Sequence, residues 1–222
     1  TGLATSGSTA AGVVTANVGS LTPSTNYFVY VRSNCGSGSF SAWTAAATFR
    51  TGYCVPSSSS SATYINSFIT TGGSTNISNL ASGYTTGGYQ DNYATATVTQ
   101  YPTGTINFTT AIVGGTVGTA IWVDWNNNLV FETSERVYAT TAYGDGQTGS
   151  FVVPAGTALG DYRMRVRIDY NSSTPDPCSN ANTRTEAEDY KLTVVAIPSC
   201  MPPTAVTATA NTAFTATVNW TA

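Results

Sequence analysis

Residues 162–168 read Tyr-Arg-Met-Arg-Val-Arg-Ile (YRMRVRI). Arg163, Arg165 and Arg167 recur with a period of two, which places them on one face of a β-strand. Working outward, residues 27–32 (YFVYVR), 95–99 (TATVT), 120–123 (AIWV), 150–153 (SFVV) and 190–195 (YKLTVV) are equally short and rich in β-branched and aromatic residues. Gly, Asn, Ser or Pro separates them, so the chain reads as all-β with essentially no helix. A parallel sheet would need helical crossovers. The spacing therefore predicts antiparallel β-sandwich domains in tandem, jelly-roll-like or immunoglobulin-like.

Composition narrows the chemistry. The 222 residues hold 8 Lys and Arg, 11 Asp and Glu and no His. Without imidazole there is no Ser-His-Asp triad, no His-ligated zinc and, on this reading, no group that titrates near neutral pH. Eight basic residues and a net charge of −3 argue against nucleic acid, whose phosphates need clustered Lys and Arg. No window approaches the ~18 apolar residues of a membrane span. The uncharged, weakly hydrophobic residues 1–11 do not read as a signal peptide, so the amino terminus of the whole protein is expected to lie elsewhere. Cys35, Cys54, Cys178 and Cys200 lack C-x-x-C spacing. Disulfides in an oxidising, extracellular setting are the natural reading, with four free thiols as the alternative.

Charge is also uneven along the chain. All 11 carboxylates fall between Asp91 and Asp189, whereas residues 1–52 carry only Arg32 and Arg50. The serine run at 57–61 follows YCVP (53–56), and a second Cys-Pro junction, IPSCMPP, spans 197–203. Both read as punctuation, the serine run as a flexible leader into the next strand.

Residues 21–31, LTPSTNYFVYV, resemble the later half of a fibronectin type III domain, with Leu21, Pro23, Thr25 and Tyr27 in a tyrosine-corner pattern. Residues 197–222 resemble the first strands of the same family, with Val218 and Trp220 alternating into a core. The resemblance implies that one such domain ends at residue 52 and another begins at 197, each incomplete within the chain. Partners would then be neighbouring repeats or copies of the same protein, joined in sequence or by strand complementation. Cys35 and Cys200 would be homologous halves of one disulfide, pairing with equivalents in those neighbours.

Residues 53–196 resemble the GEVED domain, a β-sandwich module of secreted bacterial proteins. The motifs are GYQDNY (88–93), WVDWN (122–126), Val153 with Pro154, GDYRMR (160–165), Pro177 with Cys178, and TEAEDY (185–190). Thr185 replaces the usual first Gly and Ala187 the usual Val. The resemblance implies a bacterial cell-surface or extracellular location, and a Cys54–Cys178 disulfide bracketing the domain.

The strongest chemical signal is residues 124–135, DWNNNLVFETSE. Asp124, Asn126, Asn128, the Val130 carbonyl, Glu132 and Glu135 stand in the register of a calcium loop, because Ca2+ takes six to eight hard oxygens. Leu129 stands where the sharp turn normally needs Gly, so affinity is expected at about 10⁻⁴ to 10⁻³ M. An Asn-rich turn explains the same residues without a metal. Asp91, Glu186, Glu188 and Asp189 are further candidate ligands. Glu186 and Glu188 share a strand face, and cross-strand pairing with the arginine row is the simplest use for them. Catalysis would need carboxyls facing across a cleft.

Tyr84, Tyr89, Tyr93, Tyr138, Tyr143 and Tyr170 exceed what a core normally uses and raise the possibility of surface glycans as partners. The chain thus reads as a non-catalytic structural or adhesive segment of a large, repetitive extracellular surface or filament protein, stiffened by calcium. The alternative is an accessory glycan-binding module of a secreted hydrolase.

Overall fold

The computed structural model describes residues 5–22, 25–181, 183–200 and 204–221. Pro23 of the tyrosine corner and Met201, Pro202 and Pro203 of the second Cys-Pro junction lie outside the described residues. Among the described residues the fold is all-β, interrupted by a single 3-10 turn at Thr133–Glu135.

The first piece holds β1 (Thr25–Val29), β2 (Asn34–Gly36), β3 (Ser39–Phe40) and β4 (Ala47–Thr51). β1 and β4 pair antiparallel, as do β2 and β3. The Tyr27 hydroxyl accepts a hydrogen bond from the Thr22 amide at 2.8 Å, the contact of a tyrosine corner. Phe28, Tyr30 and Trp43 are exposed.

The central piece is a sandwich of two sheets. In chain order its strands are β5 (Tyr64–Thr71), β6 (Ser78–Leu80), β7 (Tyr89–Asp91), β8 (Thr97–Gln100), β9 (Thr105–Val113), β10 (Gly118–Val123), β11 (Arg136–Ala139), β12 (Gly146–Val152), β13 (Gly160–Asp169) and β14 (Thr185–Val194). One sheet runs β11-β10-β13-β14-β7, with β8 also on β14, and the other runs β12-β9-β5-β6. Ile121, Val166, Ile168 and Leu192 of the first sheet meet Ile65, Phe68, Ile106 and Phe108 of the second in one core. Hydrophobic burial between two alternating faces is the main force holding such a sandwich together.

Two expectations change here. Pairing is not wholly antiparallel: β7 and β8 lie parallel to β14, one after the other along its edge. No helix is needed, because β9 to β13 intervene between β8 and β14 and carry the chain back. Nor is the serine run a flexible leader. The Ser57 amide donates to Asn180 Oδ1, the Ser58 amide to the Gly87 carbonyl and the Ser60 amide to the Thr183 carbonyl, while Pro56 is buried. Gly88, at φ +72°, lets the leader lie this close: a Cβ there would come within 2.3 Å of Ser58 Cβ.

The last piece is the hairpin of β15 (Thr204–Thr212) and β16 (Thr215–Thr221). Val218 and Trp220, expected to enter a core, are exposed. They share a face, but a two-stranded hairpin has no second layer to cover it.

Candidate functional site

Strand alternation on β13 and β14 divides the acidic and basic residues between two environments. Antiparallel partners share a face, and the register pairs Arg163 with Lys191, Arg165 with Asp189 and Arg167 with Ala187, but Val166 with Glu188 and Ile168 with Glu186. The arginines therefore sit on the outer face with Asp189, while Glu186 and Glu188 point into the core. Cross-strand pairing of these glutamates with the arginine row does not occur, because adjacent positions on a strand face opposite sides.

On the outer face Arg165 is fully buried. Its Nε and Nη2 bond both carboxylate oxygens of Asp189 at 2.7 and 2.8 Å, and its remaining donors reach the Cys54 and Pro177 carbonyls at 2.9 Å. Phe131 and Tyr89 flank the guanidinium at 4.6 and 5.4 Å. Arg163 bridges Asp91 and Asp189 at 3.0 Å each and lies between Tyr93 and Tyr53 at 4.5 and 5.0 Å. Planar, weakly hydrated guanidinium suits such stacked, desolvated positions. Arg167 bonds the Ser179 carbonyl and Thr185 Oγ1, and burial lowers its pKa to about 10. The leading segment and residues 177–181 roof these arginines, and a Cys54–Cys178 disulfide with a Cα–Cα distance of 5.7 Å fastens the two together. Cys35 and Cys200 are free and exposed.

The loop at 124–135 joins β10 to β11 and adjoins this roof. Asp124 is fully buried. Its Oδ2 accepts from the Tyr53 hydroxyl at 2.6 Å and the Leu129 amide at 2.9 Å, and its Oδ1 from the Asn128 amide at 3.2 Å. Asn126 and Asn128 each accept from the amide two residues on, at 2.9 Å. These are Asx turns. Glu135, buried, caps the Trp125 and Glu132 amides, and burial raises its pKa. Glu132 receives the side-chain amides of Asn126 and Asn128 at 3.3 and 3.0 Å. Leu129 adopts φ 69°, so the sharp turn forms without Gly, against a backbone cost of about 1–2 kcal/mol. The donor set is made of the hard oxygens a calcium ion takes, and most are already engaged with backbone amides. Among the described residues no three His, Cys, Asp or Glu side chains converge as a metal group.

Asp91, Glu186, Glu188 and Asp189 are not brought to one place. Asp91 and Asp189 meet at Arg163, on the far side of the sheet from the two glutamates. Glu186 accepts from the Ile65 and Thr85 amides at 2.7 and 3.1 Å, filling the gap where β5 bulges away from β9. Glu188 accepts from the Tyr190 hydroxyl, which also takes a bond from Asn79 at 2.8 Å. Burial pushes the pKa of each glutamate up to about 7. The absence of histidine therefore does not leave the chain without groups that titrate near neutrality.

Against known proteins, residues 118–193, from β10 to β14, match the model of the GEVED domain. No curated protein matches. Among solved structures, the CARDB domain of a Pyrococcus furiosus protein, crystallised in complex with di-metal ions, is similar at 14% identity and a TM-score of 0.28, over 46% of this chain and 86% of its own. The solution NMR structure of that domain is similar at 16% identity and a TM-score of 0.27, over 46% and 87%.

Proposed function

We propose that this chain is a non-catalytic structural and adhesive segment of a secreted, repetitive surface protein, and that its central sandwich is built to withstand tension. The observation that carries this reading is the Cys54–Cys178 bond, whose partners are 124 residues apart. The chain arrives at Tyr53, beside Asp124, and leaves after Val194, which pairs with Gly160 at the same end of β13. Force applied across the domain passes through the disulfide and bypasses β5 to β13.

The closed loop withholds about 430 Å of contour, at about 3.5 Å per residue. Pulling the 222-residue chain from its termini in a single-molecule force experiment should therefore give a short central step while the disulfide is intact. Added reductant should lengthen that step by about 430 Å. A full-length step in the absence of reductant would overturn the mechanical reading.

The flanking pieces fit the same role. The first presents Phe28 and Trp43, and β15 and β16 present Val218 and Trp220, to solvent. Neighbouring repeats or copies would cover these faces, by sequence continuity or strand complementation, and Cys35 and Cys200 would pair with equivalents there. Ca2+ held by Asp124, Asn126, Asn128, the Val130 carbonyl, Glu132 and Glu135 would stiffen the loop against which Tyr53 is anchored. With a Kd of about 10⁻³ M, 10 mM calcium stabilises by about 1.4 kcal/mol. Thermal unfolding should accordingly shift upward in 10 mM calcium relative to chelator. An unmoved transition removes calcium from the proposal and leaves the disulfide untouched.

A further inference from the structure

Of the six tyrosines singled out in the sequence, four are half-buried. The Tyr84 hydroxyl donates to the Ser58 carbonyl, Tyr89 and Tyr93 flank Arg165 and Arg163, and Tyr138 packs edge-on against Phe108 at 4.7 Å. Tyr143 and Tyr170 remain, 47% and 39% exposed. Together with Thr116 and Asn171 they line one open cleft of about 370 Å³. Three loops meet there. Val117 and Gly144 exchange backbone hydrogen bonds at 2.8 and 3.0 Å, and Gly118 pairs with Asp169.

From this juxtaposition we propose that the cleft binds a neutral oligosaccharide, with Tyr143 and Tyr170 as stacking platforms and Thr116 and Asn171 as hydrogen-bonding partners. The proposal rests on the adhesive part of the function above and names its ligand class. Sugar rings present C–H faces that pack on aromatic rings and hydroxyls that need precisely placed polar groups.

The platform is rigid. The Arg184 guanidinium stacks on the Tyr170 ring at 3.5 Å. It is held in turn by Thr63 Oγ1 and the Gly114 carbonyl, both at 2.7 Å. Gly115, at φ +120°, passes so near that a Cβ there would come within 3.2 Å of the same ring. A ring fixed in advance loses little entropy on binding. The four lining residues are uncharged and Arg184 is not among them, so the lining suits a neutral ligand. Position favours access as well. The cleft lies at the Asp169 end of β13, whereas the chain arrives and leaves at the Gly160 end.

The test is a printed array of neutral and of sialylated or sulfated oligosaccharides, followed by titration of the neutral members that bind. Wild-type protein should bind neutral members. Tyr143→Ala and Tyr170→Ala should each weaken binding at least tenfold, and Tyr170→Trp should retain it. Tyr143→Ala should leave the thermal transition in place, which separates lost binding from lost folding. Binding that survives both alanine substitutions overturns the cleft and leaves the adhesive reading standing. Hits confined to charged members overturn the cleft alone, an array with no hit at all overturns both, and the mechanical reading is decided by the force experiment alone.

Discussion

Replacing Glu188 by glutamine is expected to flatten the dependence of folding stability on pH. Glu186 and Glu188 have pKa values of about 7 in the folded protein against an ordinary value of 4.5. An acid whose folded pKa is raised binds its proton more tightly folded than unfolded. The stability it contributes is fully present below pH ~4.5 and is lost as pH rises to ~7, after which the curve levels. Each glutamate accounts for about 3 kcal/mol across that window. Wild-type stability should thus fall by several kcal/mol between pH 4.5 and 7.5, with a slope approaching two protons. Glu188→Gln has no proton to lose, still offers an oxygen to the Tyr190 hydroxyl, and should halve the slope while stabilising the protein at pH 8. Urea denaturation across this range measures both quantities, and an unchanged slope would show that Glu188 does not titrate on unfolding. Glu186→Gln is the harsher change, because Glu186 uses both oxygens to accept backbone amides and a glutamine offers only one.

Asp189→Ala is expected to cost about 3–5 kcal/mol, because it leaves the buried Arg165 guanidinium without its counter-charge. The pair itself is not a large source of net stability, since removing two ions from water offsets much of their attraction. Asp189→Leu combined with Arg165→Met should therefore be milder than Asp189→Ala alone. A double-mutant cycle read by guanidinium denaturation separates the two effects. A loss below about 1 kcal/mol for Asp189→Ala would mean that solvent reaches the pair as it does at a surface.

Legibility differed from element to element. The strands at 120–123, 162–168 and 190–195 lie within β10, β13 and β14 or overlap them closely, because dense β-branched and aromatic runs leave few alternatives. β5 and β9 went unmarked. Their Ile65, Phe68, Ile106 and Phe108 are interspersed with Ser, Thr and Asn, and β5 also carries a bulge that breaks its alternation. In the loop at 124–135 the turn chemistry of Asp and Asn was readable. Its attachment to Tyr53, 71 residues away, was not.

The sequence by itself determined the all-β class, the GEVED resemblance and the confinement of every carboxylate to residues 91–189. These follow from local periodicity, motif spacing and composition, none of which needs a partner strand. Only the tertiary structure decided which face each charge occupies. A period of two places Arg165 with Arg163 and Glu186 with Glu188, but it does not say which face meets the second sheet. Pairing β13 with β14 in one register, and packing that sheet on β5 and β9, sent the glutamates into the core and the arginines beneath a disulfide-stapled roof. Burial, rather than residue type, then supplied the groups that titrate near neutral pH in a chain without histidine.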